Sequence, residues 1–231
     1  MKFALSIIFT CAIFVAQAQS VESIVAKHLE KIGGVKKLKA VNARVQEMTM
    51  SIQGQDITML RYDKRPNKSK VVMKVQGMEF VTNCYDGKEG WKMNQMGGLE
   101  KYNDKQNQQN AEDSFDMLWV DYEKNGHTIT LAGKEKVGDK ECFKLDVTRR
   151  NGKKEIYYMG TQDYMIWKVT AKDASGSAVS RVLSDYKSVD GIKMPHKIKG
   201  EVGPQVFDII VKSIKFNTSI DDKIFAYPGD K

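Results

Sequence analysis

The chain is poor in the residues from which most catalytic and metal sites are built. Its three histidines, His28, His127 and His196, fall in separate segments, and none has a second ligand at metal-binding spacing. No HExxH, GxSxG, P-loop or GxGxxG string occurs. The acidic residues sit mostly in turns or at solvent-facing strand positions, so no nucleophile has a supporting base. These absences argue against an enzyme, and neither a cofactor nor a metal is expected. His28 lies at the edge of a helical apolar face, and the strand phase of His196 turns it inward beside Met194. Both are expected to be packed side chains with hydrogen-bond partners.

Cysteine is scarce too, with three in 231 residues. Cys11 lies in an N-terminal stretch that begins with Lys2, continues as an apolar run from Phe3 to Val15 and ends on Ala16-Gln17-Ala18. That pattern predicts a secretory signal peptide over residues 1–18, followed by a single domain over 19–231. The run is too short to span a bilayer, and no stop-transfer segment follows. Phe9-Thr10 ahead of Cys11 lacks the small residues of a lipoprotein cysteine. A soluble, exported, periplasmic protein is expected, monomeric at moderate concentration. Of the two remaining cysteines, Cys84 shares strand phase with Met78 and Phe80, whereas Cys142 is out of phase with Phe143 and Leu145. Thiols on opposite faces of a sheet cannot bridge, so both are expected to be free.

Negative charge is in the minority: 37 Lys and Arg against 29 Asp and Glu give a formal charge of +8. The lysines occupy alternate strand positions instead of forming one patch. This pattern marks solvated strand faces, and no nucleic-acid partner is expected.

What the chain does have is alternation. Arg44–Gln53, Ile57–Tyr62 and Lys70–Val75 each read at period two, and Pro66, Gly77 and Asp86-Gly87 punctuate the runs. Further strands are expected from Met78, at Trp91–Met93, and over 127–136, 141–149, 154–159, 165–171, 178–187, 192–202 and 205–216. The last is irregular, and a bulge near Lys212 would restore its phase. Asn125-Gly126, Asn151-Gly152 and Asp190-Gly191 are strong hairpin turns, because both central residues need positive φ. Ser20 caps a helix whose apolar stripe runs Val21, Ile24, Val25, Leu29, Ile32 and stops at Gly33-Gly34. A short helical turn is expected over 35–40 and a second amphipathic helix over 111–120, with 95–110 an exposed polar loop. The tail from Asp221 is expected to pack Ile224 and Phe225.

The fold class that follows is mainly β. It is a large curved antiparallel sheet of about 11–12 strands, forming an open, incomplete barrel, with N-terminal and mid-chain helices over the concave face. Lys and Glu on the other face of nearly every strand exclude a lipid-facing exterior, so the apolar side points inward. Methionine is abundant at twelve residues, and many fall on inward phases, where a flexible thioether suits either a packed core or an adaptable apolar surface. Met48, Met50, Ile52, Met59, Val71 and Met73 are expected to line the concavity, with Val75, Phe80, Trp91, Leu145 and Met194.

One stretch carries a resemblance. A strand, Lys64-Arg65-Pro66-Asn67, a second strand, then Tyr85-Asp86-Gly87-Lys88 with Trp91 and Asn94, is similar in order and spacing to the LolA-like family of periplasmic lipoprotein carriers. The hairpin Asp185-Tyr186 to Asp190-Gly191 and Pro195 resembles a branch of outer-membrane lipoprotein-sorting proteins. The resemblance implies an unclosed barrel with a helical lid over a cavity for lipoprotein acyl chains or other lipids. It also implies partner proteins at the inner and outer membranes. It assigns Arg65 to holding the lid by hydrogen bonds. The carrier's aromatic four residues further on is Ser69 here. A packed envelope-assembly module with no lipid ligand is the alternative.

Overall fold

The computed structural model describes residues 19–52, 54–94, 96–112, 118–173 and 176–230; the stretch 1–18, expected to be a leader, lies outside them. Two helices, α1 (Val21–Lys31) and α2 (Val35–Ala40), precede five strands: β1 (Ala43–Ile52), β2 (Gln55–Lys64), β3 (Lys68–Val75), β4 (Met78–Tyr85) and β5 (Gly90–Met93). The short β6 (Leu99–Lys101) and α3 (Asp104–Glu112) follow. The second half contains β7 (Thr128–Val137), β8 (Lys140–Thr148), β9 (Lys154–Gly160), β10 (Ile166–Lys172), β11 (Ala178–Val189), β12 (Ile192–Val202) and β13 (Gln205–Phe216). A 3-10 turn at Asp222–Phe225 lies in the C-terminal tail.

These strands form one antiparallel sheet of 13, in the order β6-β5-β4-β3-β2-β1-β13-β12-β11-β10-β9-β8-β7. β6 and β7 are its edges, so the barrel is open. The inner face can be followed across register partners: Phe80 faces Met73, Met73 faces Met59, Met59 faces Met48 and Met48 faces Val211. The anticipated bulge at Lys212 is present, because Glu47 pairs with Ser213 and Met48 with Val211.

α1 packs as its stripe dictates. The Ser20 hydroxyl accepts from the Ser23 amide, and Ile24, Val25, Leu29 and Ile32 are buried, each contributing about 1.5–3 kcal/mol. The helix stops at Gly33, whose φ is 131° and where a Cβ would lie 2.6 Å from the Gly191 carbonyl. Only glycine lets the helix end approach the β11–β12 turn this closely, and there the Lys193 amide donates to the Ile32 carbonyl at 2.9 Å. The core beneath α1 and α2 comprises Phe143, Leu145, Val147, Tyr157, Met159 and Ile192 together with Leu118, Trp119 and Val120.

Three expectations change. The strand count rises by β6, within the stretch expected to be loop. Among the described residues the mid-chain helix is α3, which begins at Asp104; of the span 111–120 expected to be helical, residues 113–117 lie outside the described set and Leu118–Val120 are in a turn. α3 has no apolar stripe. Its start is a reciprocal cap: the Gln106 amide donates to Asn103 Oδ1 and the Asn103 amide to Gln106 Oε1, both at 3.0 Å. The third change is Cys84. Asn83 pairs with Val71 and Val81 with Val72, so Thr82 is an extra residue that reverses the strand phase. Cys84 therefore lies on the outer face. Cys142 does too, and both are free, as expected, but eight strands lie between theirs in the sheet.

The outer face over β1–β5 is not simply solvated. Ile220 and Phe225 from the tail pack there on Ala43, Cys84 and Trp91. Three strand lysines hold the tail: Lys64 Nζ donates to the Ile220 carbonyl and Lys70 Nζ to the Ile224 carbonyl, while Lys68 pairs with Asp222.

Candidate functional site

The inner face divides into a filled half and an open half. Over β7–β9 and β12 it is covered by α1, α2 and Leu118–Val120, and Leu145 there is 0 % exposed. Over β1–β4 no helix covers it among the described residues. Ile52, Met59, Val71, Met73, Val75 and Phe80 are half-buried and share the face in register, forming a continuous apolar strip. Met48 and Met50 form its buried floor, and Met194 packs between Met48's cluster and the core under α1. Ten of the eleven expected lining residues thus lie on the inner face, but Leu145 is sealed beneath α1. Trp91 is on the other side of the sheet, where its indole N–H donates to the Phe225 carbonyl at 3.3 Å. The phase reversal at Thr82 explains its displacement, because Trp91 pairs with Cys84.

Arg65 lies at the end of β2. Its Nε donates to the Val41 carbonyl at 2.7 Å and its amide to the Asn42 carbonyl at 2.9 Å. Both acceptors belong to the link between α2 and β1, so Arg65 ties the helical pair to the sheet. His28 is buried, with Nδ1–H donating to the Tyr164 carbonyl at 2.7 Å and its ring edge-on to Trp119. Burial lowers its pKa to about 4, although the carbonyl opposes this. His196 Nδ1 bonds the Met194 carbonyl at 3.0 Å. Each of these two histidines has a structural bond of the kind expected.

Charged groups also occupy the inner face. Asp63, 3 % exposed, accepts from Arg44 at 2.6 Å and from Arg61 at 2.9 Å. Burial disfavours its charge, but the two guanidinium groups overcome this and hold the carboxyl below its usual range. Further round, Glu155 accepts from Arg149 at 2.8 Å and from Lys153 at 3.0 Å, and Tyr157 OH donates to it at 2.9 Å. Burial, reinforced by Glu155, pushes the Tyr157 phenol up to about 12. Glu155 itself is held low by Arg149 and Lys153 against the cost of its burial. Arg61, Arg149, Arg181 and Tyr157 line one cavity of about 430 Å³. β2 and β9 are six strands apart in the sheet, so the strands must curl for them to share a cavity. Strand parity marks these charges as inward: Arg61 and Asp63 are in phase with Met59, and Glu155 with Met159. The assumption that charge belongs on the outer face hid them.

Among the described residues no group of three or more His, Cys, Asp or Glu could hold a metal ion. No helix among them is long and apolar enough to cross a membrane.

No family model and no curated protein matches the chain by sequence. Solved structures do match by shape. A DUF1329 family protein from Desulfovibrio piger superposes with a TM-score of 0.60 at 13% identity, over 90% of this chain and 98% of its own. A putative outer membrane lipoprotein-sorting protein domain from Vibrio parahaemolyticus gives 0.58 at 14% identity, over 88% of this chain and 95% of its own. The fold is LolA-like. A LolA superfamily protein from Nitrosomonas europaea gives 0.57 at 14% identity, over 88% of this chain and 96% of its own. At such identities the likeness is one of fold, and function has to be argued from the site.

Proposed function

We propose that the protein is a non-enzymatic carrier of the cell envelope that holds an acyl chain, from a lipoprotein or another lipid, along the open half of its inner face. One observation carries this reading. The strip Ile52–Met59–Met73–Phe80, with its neighbours, stays half-exposed in a fold that fills the adjoining half with helix. A chain laid on it would release about 0.8 kcal/mol per buried CH₂, so six methylenes give about 5 kcal/mol before ordering costs. The flexible thioethers of Met59 and Met73 suit chains of varied shape. The fold it shares with a putative lipoprotein-sorting protein supports the same reading, as does the leader-like start of the chain, which fits a periplasmic location. Outer-membrane lipoprotein sorting, hand-over between partner proteins at the two membranes and a monomeric state belong to this proposal.

The test is solvent extraction of the purified protein, residues 19–231, followed by lipid mass spectrometry, together with titration of a fluorescent fatty acid. Stoichiometric lipid, or saturable probe binding, is expected. A delipidated protein that binds no acyl probe would leave the alternative, a packed envelope module. Arg65→Leu, which unties the α2–β1 link, should keep the circular dichroism spectrum and change the rate of probe release.

A further inference from the structure

Four neighbouring hairpins close at one end of the sheet: β5–β6, β3–β4, β1–β2 and β12–β13. Their tips are residues 93–99, 75–78, 52–55 and 202–206. In a chain that is 29% charged, these stretches contain no Asp, Glu, Lys, Arg or His. The same end of the sheet further round is different, with Arg149, Arg150 and Lys153 at the β8–β9 turn and Lys172 and Asp173 at the β10–β11 turn. The opposite end is charged too, with Lys64, Arg65 and Lys68 at one turn and Asp86, Lys88 and Glu89 at the next.

The tips also gather exposed apolar side chains. Among the described residues seven large hydrophobics are exposed, and Met78, Met96, Leu99 and Val206 are four of them. Met96 is 93 % exposed, yet its loop is held by its own bonds: Asn94 Oδ1 accepts from the Met96 amide at 3.0 Å and from the Gly98 amide at 2.9 Å. A tip whose amides are already paired loses less on leaving water. Behind two of the tips the first charges pair across the hairpin, Lys74 with Glu79 at 2.6 Å and Lys92 with Glu100 at 3.8 Å. The apolar strip of the inner face runs out to this rim, since Met78 pairs with Val75 in phase with Phe80. Separate tips do not make the contiguous face of about 800 Å² that a stable protein partner needs, whereas a fluid lipid interface closes round each one. We infer that these uncharged tips dock the protein on the surface of a lipid bilayer, with the end of the strip toward the lipid. The choice of a bilayer rests on the carrier reading, because the strip ends here.

The experiment mixes the purified protein with vesicles of phosphatidylcholine, with or without phosphatidylglycerol, and reads co-sedimentation. Binding to both, with little effect of salt, is expected of uncharged tips. Met96→Asp combined with Val206→Asp should weaken it at least about tenfold. The same variant should keep the circular dichroism spectrum and the binding of a fatty-acid probe in solution, since neither side chain is on the strip. An environment-sensitive label on Met96→Cys should shift to the blue with vesicles, and one on Asp139→Cys, at the opposite end, should not. Cys84 and Cys142 are buried and take no label in the folded protein. Absence of vesicle binding by a protein that still holds the acyl probe would overturn the docking and leave the carrier standing. Vesicle binding without acyl-probe binding would remove the carrier reading and keep the docking. Binding that is confined to anionic vesicles and abolished by salt, or that survives the double variant, would put the contact elsewhere and overturn the inference. Self-association cured by the double variant would overturn it in favour of a second copy.

Discussion

Leu145 and Met73 lie on the same face of the same sheet, yet Leu145 is sealed under α1 and Met73 stays half-exposed. The difference lies in what each strand meets, not in the strands themselves. β8 faces an eleven-residue helix with a full apolar stripe, followed by Trp119 packed edge-on between His28 and Tyr157. Among the described residues no helix covers the inner face of β3, and the mid-chain helix α3 is polar throughout its described length. The half that stabilises the fold is therefore distinct from the half available to a ligand, and mutations in the two should separate stability from binding.

The largest effect belongs to the covered half. Leu145→Ala leaves a cavity among Phe143, Val147, Tyr157 and Met159, and should cost about 3–4 kcal/mol in urea unfolding. A loss below about 1 kcal/mol would mean that this half can collapse or is as open as the other, and the contrast would vanish.

His28 gives the covered half a pH signature. Its pKa in the fold is about 4, against an ordinary value of 6.5. Between those values the unfolded chain takes up a proton that the folded one refuses, so stability falls as the pH drops through that window and is unaffected above it. The loss approaches about 3 kcal/mol at pH 4. His28→Gln, which can still donate to the Tyr164 carbonyl, should lose less than the wild type between pH 6.5 and 4 in urea midpoints. Carboxylates such as Asp63 and Glu155, held low by their partners, add a further loss at lower pH that both proteins share. Parallel profiles for the two proteins would show that His28 is hydrated in the fold.

Much of this was legible in the sequence, and the failures have physical causes. Period-two alternation with Asn-Gly and Asp-Gly turns locates most strands, and the irregular phase of β13 points to its bulge at Lys212. The bulge at Thr82 gives no such warning, because Thr82 and Asn83 fit either face, and so unbroken parity places Cys84 and Trp91 on the wrong side. α3 has no apolar stripe to mark it, and its signal in the sequence is the Asn103-to-Gln106 cap. The arginine-lined cavity is a different matter. Parity turns Arg61 and Arg181 inward, but only the curl of the whole sheet brings β2 and β11 to one cavity, and no local pattern encodes that.

The smallest effect on stability, and the sharpest test of the contrast, is at Met73. Its side chain is half-exposed between Met59 and Phe80, so truncation removes only part of a buried surface and nothing collapses around it. Met73→Ala should cost less than about 1 kcal/mol, a fraction of the Leu145 value. Met73→Asp should also fold, since water reaches a side chain at this half-exposed position. A bound acyl chain, however, would exclude that water and strand an unpaired charge against hydrocarbon, at a cost of several kcal/mol. Fatty-acid probe binding should therefore be lost in Met73→Asp while its urea midpoint stays near that of Met73→Ala. Leu145→Ala should behave in the opposite way, losing stability and, where still folded, binding the probe as the wild type does. If Met73→Asp instead unfolds the protein, the strip is core and the two halves are alike. If it folds and binds like the wild type, the chain lies elsewhere.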